Sequence, residues 1–432
     1  MPATIALIAH DAKKDDLIDF AIQHQVCLSR YRLIATATTG QRIATATGLT
    51  IEPLLSGAMG GATQIAAQVC TGQVVAVFFL VDPLYAQPHE PDIQALLRVC
   101  NVHNVPLATN RATATVIATQ LAKVQVAHLI FNPVAGQGNA EQDLALIRQL
   151  LEPHFNLHIQ LTTPEVNPAD MAQAAIAAGA DLVIASGGDG TISTVAGALI
   201  GTQIPLGIIP RGTANAFAAA LGLPQLLPLR LACQTILAGQ TRTVDAALCN
   251  GLPMILLVGV GYEAEMVERA TRELKQQWGV MAYLMAGWQV LDEQPLFDVD
   301  IEVEGQTHQL QAGAITIANA APPTSVLAQG AGQVILDDGL LDLTIATAES
   351  KLQAVTSLLQ MFSFALFKAN PQRPNIFHGR VRSLRINASP PQKVVVDGEV
   401  IGTTPITVEC VPNGLTVFSP QSVSALVTGL PV

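Results

Sequence analysis

Leu182-Val-Ile-Ala-Ser-Gly187-Gly188-Asp189-Gly190-Thr191-Ile192-Ser193 runs from an apolar stretch into a glycine cluster and on into a helical pattern, and its reading decides the fold. A short branched-apolar run that ends in glycine and continues as a helix is the strand-loop-helix unit of an α/β sheet. Without Cβ atoms at the turn, bare backbone N–H groups can face a phosphate. Pro210-Arg211-Gly212-Thr213-Ala214-Asn215 repeats the arrangement after the next apolar run. The second half of the chain therefore reads as a phosphate-handling module, and a second glycine-rich signature near the N-terminus suggests two such modules in tandem.

The chain has 432 residues, half of them apolar and 13% charged, with a net charge of −11. At roughly 150 residues per domain, two or three domains are expected. A nucleic-acid partner is not expected, because binding a phosphate backbone takes clustered Lys and Arg, and the sequence has no such cluster. The longest uncharged runs, such as Ile192 to Pro210, are interrupted by Gly, Pro, Ser, Thr and Gln and read as strand-turn-helix segments, not spans. The N-terminus enters a strand at Ile5–Ala9 with no basic stretch before it, so no signal peptide is expected. Cys27, Cys70, Cys100, Cys233, Cys249 and Cys410 form no Cys-x-x-Cys pair. They read as free thiols in a reducing cytoplasm.

From residue 4 to about 122, short apolar runs (Ile5–Ala9, Leu33–Ala35, Val74–Val81, Val105–Ala108) alternate with helical patterns, which predicts a parallel sheet covered by helices. A second α/β series starts at His128-Leu129-Ile130-Phe131 and runs through strands at Leu157–Leu161 and Leu182–Ala185. Beyond about residue 243, helices near 264–277 and 281–290 interrupt strands of period two at Phe297–Val303, His308–Leu310, Ala314–Ala318, Leu341–Ile345, Val381–Ile386 and Lys393–Val396. The expected class is α/β: a parallel-sheet N-terminal module over 1–124, an α/β nucleotide lobe over 125–243, and an antiparallel β-sandwich lobe over 244–432 with a cleft as ligand site.

Asn132-Pro-Val-Ala-Gly-Gln-Gly138, Ser186 to Thr191, Ile208 to Phe217, Val260-Gly-Tyr-Glu-Ala264, Asp337-Asp-Gly-Leu-Leu-Asp342 and Asp397-Gly-Glu399, in that order, resemble the catalytic domain of the diacylglycerol kinase family, in its bacterial lipid-kinase branch. On the residues themselves, glycines at 187, 188 and 190 let backbone approach a triphosphate, and Thr191 is placed to cap the following helix and donate to phosphate. Asp189 beside phosphates calls for a cation, Mg²⁺. The resemblance implies ATP against Asn132, Pro133, Val134, Ala135, Gly136, Thr163, Gly187, Gly188, Asp189, Gly190, Thr191, Ile192, Ser193 and Thr213. It makes Asp189 catalytic and Glu399 the base that takes the proton from a lipid hydroxyl, with diacylglycerol or a similar lipid reached from the membrane surface.

It also implies a structural Mg²⁺ on the Asp338 carboxylate and the carbonyls of Ile335 and Leu340; taken alone, Asp338-Gly339 reads first as a hairpin turn, the commonest meaning of Asp-Gly between strands. NAD kinases share the Gly-Gly-Asp-Gly-Thr loop, but the continuation Gly212-Thr-Ala-Asn-Ala-Phe217 looks like the lipid-kinase text. Ser193-Thr194, Ala216 and Glu263 depart from the usual Asn-Glu, Asp and Asp. Leu358 to Lys368 reads either as a core helix or as an interfacial segment.

Ala9-His10-Asp11 with Lys14, Ala35-Thr-Ala-Thr-Thr-Gly40, Ser56-Gly-Ala-Met-Gly-Gly61, Asp82-Pro83 and Pro88-His89-Glu-Pro-Asp92 with Arg98 resemble methylglyoxal synthase, which eliminates phosphate from dihydroxyacetone phosphate. Lys14, Thr36, Thr38, Thr39, Ser56 and the Gly57 amide make a cradle for one phosphate, with Ala37 and Arg98 as further substrate contacts. His89 and His10 supply imidazoles and Asp11, Asp82 and Asp92 carboxylates for enediolate chemistry. The family places an Asp base after the Gly-Gly; here it is Ala62. Three readings follow: a slow or inactive module that senses a triose phosphate or phosphate, a working synthase that recruits Asp92 or Asp11, or a scaffold. The synthases this module resembles form compact oligomers, so a homo-oligomer is expected.

Overall fold

The computed structural model describes residues 3–84, 90–136, 138–224, 227–261, 296–321, 334–347 and 376–420. His89, the stretch 262–264, the helices expected near 264–277 and 281–290 and the 358–368 segment lie outside them. The chain forms two compact units, Met1–Ala127 with His154–His158 and His128–Pro153 with Ile159–Val432. No helix among the described residues is long and apolar enough to cross a membrane.

In the first unit, strands β1 (Thr4–Ala9), β2 (Arg32–Thr36), β3 (Ile51–Leu54), β4 (Val74–Leu80) and β5 (Leu107–Ala108) form one parallel sheet of order β3-β2-β1-β4-β5. The central strands β1 and β4 are apolar almost throughout because both faces of a parallel sheet are covered. Alternation along β1 shows it: Ile5 and Leu7 enter one core, Ala6 and Ile8 the other. Strand order reverses at β1, with β2 on one side and β4 on the other. The carboxyl ends of strands at such a reversal open a crevice, the usual ligand position in α/β sheets.

The second unit contains two sheets. β6 (Gln125–Phe131), β7 (Phe155–Leu161), β8 (Leu182–Gly187) and β9 (Leu206–Pro210) supply the nucleotide-lobe strands. The chain then makes β10 (Thr241–Cys249), β11 (Leu252–Met254), β12 (Leu257–Gly261), β13 (Phe297–Val303), β14 (Gln306–Ala312), β15 (Ala314–Ala318), β16 (Leu341–Ala346), β17 (Ile376–Val381), β18 (Ser383–Ser389), β19 (Lys393–Val396), β20 (Glu399–Thr403) and β21 (Ile406–Phe418). One sheet has the order β14-β13-β18-β21-β9-β8-β6-β7, with β10 paired to β21 and β11 to β10. The other is antiparallel, β17-β16-β15-β12-β19-β20.

The expected sandwich is present, and it shares a sheet with the nucleotide lobe. β21 is the link: Val417 pairs in parallel with Leu206 of β9, while its other partners, β10 and β18, run antiparallel. Val258 and Val260 of β12 and Ile315 and Ile317 of β15 meet Val299, Ile301 and Ile386 of the facing sheet in one core. A second core joins Val183, Ile192, Leu206 and Ile208 to Leu415 and Val417.

Candidate functional site

In the first unit a cavity of about 280 Å³ sits at the carboxyl ends of the strands around the β1/β4 reversal. Its lining brings together His10, Asp11, Lys14, Thr36, Thr38, Thr39, Ser56 and Gly57, the residues expected to form a phosphate cradle. Lys14 Nζ is set by Asp11 Oδ1 at 2.7 Å and donates to Thr38 Oγ1 at 2.8 Å. Thr36 Oγ1 bonds Thr39 Oγ1 at 3.1 Å, at the start of helix Ala37–Thr47, whose first turn has no side-chain cap and so presents N–H groups. The backbone N–H of Asp82, just past β4, donates to His10 Nδ1 at 3.0 Å. That bond makes Nδ1 the acceptor and leaves the neutral ring's proton on Nε2.

The rest of the lining is apolar: Ile8, Ala9, Ala58, Ala62, Phe79 and Ile93. Gly61 is obligatory, because a Cβ there would lie 2.1 Å from the carbonyl oxygen of Leu55. This tight turn aims Ala62, 4% exposed, into the cavity where the sequence resemblance expects a carboxylate. Of the two carboxylates considered as replacements, Asp11 lines the cavity but is 96% exposed and bound to Lys14, and Asp92 is half-buried and outside the described lining. Ala37 and Arg98 are also outside it, Arg98 on the exposed face of helix Glu90–Val102. Phe79, whose ring meets His10 edge-on at 5.2 Å, was not singled out by the sequence, where it is one more residue of a core strand.

In the second unit the three glycine-rich segments converge on Arg211, which is 5% exposed. Its Nη1 donates to the Asn132 carbonyl at 2.6 Å, its Nε to Asp143 Oδ2 at 2.9 Å, and its backbone N–H to the Gly187 carbonyl at 2.8 Å. The guanidinium also lies 4.4 Å from the centre of the Phe131 ring. Asn132 donates through Nδ2 to Thr191 Oγ1 at 2.9 Å. At Gly136, with φ of 85°, a Cβ would meet the Arg211 carbonyl oxygen at 2.6 Å.

Several expected roles change. Thr191 is not a cap; it sits inside helix Asp189–Leu199, whose N-cap is Gly188 without a side-chain cap bond, and its hydroxyl serves Asn132. Ile192 is fully buried in the core, so its side chain cannot touch a nucleotide. Gly187 and Gly212 have internal reasons to lack Cβ: one on Gly187 would sit 2.8 Å from the Thr191 Cβ, and one on Gly212 would sit 2.7 Å from the Gly188 Cα, whereas a Cβ on Gly188 would make only an ordinary 3.5 Å contact with Gly212. Only Gly190 faces open space. Pro133, Val134, Ala135, Thr163 and Thr213 lie on the loops around this turn, with Thr163 and Thr213 exposed.

Asp189 Oδ1 accepts the Ala216 N–H at 2.6 Å, joining the glycine turn to the helix Ala216–Ala220. Burial raises its carboxyl above the ordinary range, opposed by the N–H groups of Ala216, Phe217 and Asn215. Among the described residues no cluster of three or more His, Cys, Asp or Glu could hold a metal by itself. Mg²⁺ at Asp189 would thus need phosphate oxygens to complete its shell.

Glu399 begins β20 after a turn at Asp397 and Gly398, both with positive φ, and its side chain is exposed. The anchored member is Asp397, which accepts the N–H groups of Ile255, Leu256 and Leu257 at 2.9, 2.9 and 3.0 Å. Burial raises its carboxyl, and those donors together with the Ser193 hydroxyl oppose the rise.

At the loop expected to hold a structural cation, Asp338 Oδ1 accepts the Leu340 N–H at 3.1 Å and Asp338 Oδ2 pairs with Arg380 Nη1 at 3.0 Å. Arg380 Nε reaches Asp342 Oδ1 at 3.2 Å. Buried Asp245, absent from the motifs, accepts the N–H groups of Gly339 at 2.7 Å and Asn413 at 2.8 Å and holds the loop against β21.

Residues 16–109 match the MGS-like domain, 126–249 the diacylglycerol kinase catalytic domain, and 257–419 the YegS C-terminal NAD kinase beta sandwich-like domain. The uncharacterized protein sll0036 of Synechocystis sp. is 54% identical over 97% of this chain and 99% of its own length. Methylglyoxal synthase of Thermus thermophilus is 58% identical over 119 residues, 28% of this chain and 94% of that enzyme. A Bacillus anthracis crystal structure assigned as a diacylglycerol kinase superposes with a TM-score of 0.57 at 28% identity, covering 70% of this chain and 99% of that one.

Proposed function

The chain belongs to the methylglyoxal synthase family over its first unit and carries a diacylglycerol kinase catalytic domain with a YegS-type C-terminal domain over its second; from that premise we propose a cytoplasmic, ATP- and Mg²⁺-dependent lipid kinase fused to a module that binds a triose phosphate with little turnover. The convergence of three phosphate-facing loops on Arg211 carries the kinase reading. The uncapped N-terminus of helix Asp189–Leu199 and the open Gly190 fit a polyphosphate, and Asp189 fits a magnesium ion shared with it. Mg²⁺ bound there would neutralise charge on the transferring phosphoryl group. Glu399 is the proton acceptor for the lipid hydroxyl, and Asp397 positions it.

In the first unit the cradle binds the phosphate, and His10 Nε2 donates toward the carbonyl of the ligand. Elimination also needs a base at the carbon-bound proton. The methyl of Ala62 is no base, and Asp11 is committed to Lys14. Binding without efficient elimination is what this arrangement supports. The full chain should transfer the γ-phosphate of ATP to diacylglycerol in mixed micelles while forming little methylglyoxal from dihydroxyacetone phosphate. Absence of transfer to any lipid of an extracted mixture, with ATP bound, would overturn the kinase reading.

A further inference from the structure

The loop 335–340 has a cation of its own. Both oxygens of Asp338 accept hydrogen bonds from groups of this chain: Oδ1 from the Leu340 N–H at 3.1 Å and Oδ2 from Arg380 Nη1 at 3.0 Å. The guanidinium does not merely rest there. β16 and β17 pair in the register Asp342↔Arg380, so the backbone fixes Arg380 beside Asp342, and Nε donates to Asp342 Oδ1 at 3.2 Å. One planar fork thus spans two carboxylates at sites reached by different nitrogens, the geometry for which arginine is suited and lysine is not.

A divalent ion on Asp338 would have to share the same two carboxylate oxygens, at 2.0–2.6 Å, with these donors. It would also sit beside a fixed positive charge, and like charges a few ångströms apart repel strongly in a partly buried site. Arg380 and Asp338 have side chains only 20% and 24% exposed, so solvent screening is reduced. The loop has a second tether that needs no metal, since Asp245 holds Gly339 through Oδ2 at 2.7 Å and its own N–H donates to the Leu336 carbonyl at 2.6 Å.

We propose that the Arg380 guanidinium takes the place of a structural divalent cation at the Ile335–Leu340 loop, so that this kinase unit folds without bound metal and uses Mg²⁺ only together with its nucleotide. The proposal concerns the scaffold and is independent of which lipid is phosphorylated.

The test is Mn²⁺ titration of the nucleotide-free full chain by electron paramagnetic resonance, with thermal unfolding in EDTA or Mg²⁺. The parent is expected to bind no stoichiometric Mn²⁺ below millimolar concentration and to melt within about 1 °C in the two buffers, since an ion that does not bind the native state cannot stabilise it. In Arg380→Met the exposed carboxylate pair should gain one Mn²⁺ site and a melting point several degrees lower, partly restored by Mg²⁺. One tight Mn²⁺ per parent chain that vanishes in Asp338→Asn would overturn the proposal, and this arm does not depend on the Arg380 variant folding. A well-folded Arg380→Met that loses no stability and gains no metal would overturn it as well.

Discussion

Asp397 Oδ1 accepts the backbone N–H of Leu257 at 3.0 Å, and the second oxygen and the neighbouring N–H groups extend the contact across Ile255 to Leu257. The Asp-Gly-Glu motif therefore divides its labour: the first carboxylate is built into the sheet and the last is left at the surface.

The two acids should fail differently. Glu399→Gln should leave stability and ATP binding near the parent while lipid phosphorylation falls by roughly 10²–10⁴, the usual worth of a positioned base. Asp397→Ala orphans three N–H donors and should destabilise the second unit by several kcal/mol, about 1–3 for each buried donor left unpaired and not fully additive. Parallel activity and urea-denaturation measurements separate them. Lipid transfer by Glu399→Gln within about threefold of the parent would remove it as the base.

The glycines of the phosphate loops should also separate. Gly212→Ala drives a methyl into the Gly188 backbone and is expected to cost roughly 1–3 kcal/mol as an overpacking change. Gly190→Ala meets no neighbour and lies in a helix, so it should be neutral or stabilise by up to about 1 kcal/mol, yet weaken ATP binding if the phosphates occupy that space. Unchanged nucleotide affinity in Gly190→Ala would place the phosphates elsewhere.

At the first unit, binding and turnover should come apart. Calorimetry of the parent should detect dihydroxyacetone phosphate or inorganic phosphate, with Lys14→Met abolishing the signal. Ala62→Asp should raise methylglyoxal formation by roughly 10² or more. A parent already producing methylglyoxal at a rate Ala62→Asp cannot improve would mean that another carboxylate is the base.

His378 supplies a pH signature. Burial lowers its ring from the ordinary 6.5 to about 4, with Nδ1 2.8 Å from Thr344 Oγ1. The unfolded chain then takes up a proton near pH 6.5 that the folded chain refuses until about pH 4. The stability contributed by the neutral ring is complete above pH 6.5 and lost as pH falls toward 4. Between pH 7 and 4.5, denaturation midpoints of the parent should drop more steeply than those of His378→Asn; parallel curves would contradict it.

Local signals carried most of the fold. β1, β13, β15 and β19 sit where their period-two or all-apolar runs place them, and the three kinase motifs could be ordered by their glycines alone. β21 was not legible: no strand was read over 406–418, where Asn413, at φ 52°, forms an irregularity within one long strand and gives its N–H to Asp245. Asp245 itself stands in a strand with no motif around it, and its partners lie 94 and 168 residues away. For the site, residue types betrayed the cradle of Lys14, Thr38 and Ser56. The role of Arg211 was hidden because it depends on loops that only tertiary folding brings together, and the inward turn of the Thr191 and Ile192 side chains was hidden because a glycine motif does not say which side of its helix faces the core.

Because β21 lies against β9, the sheet that carries the glycine turn is closed by the last strand among the described residues, with Val417 beside Leu206. A ribosome releasing this chain would have delivered all five strands of the first sheet by Ala108, and that sheet with its helices can fold early as a local α/β module. The nucleotide lobe must wait with β9 as a raw edge until Phe418 has emerged, an edge of the kind that invites wrong pairing. Premature termination would therefore yield a folded, ligand-competent first module attached to a kinase core with an open seam, a product for chaperones and proteases rather than a weaker kinase.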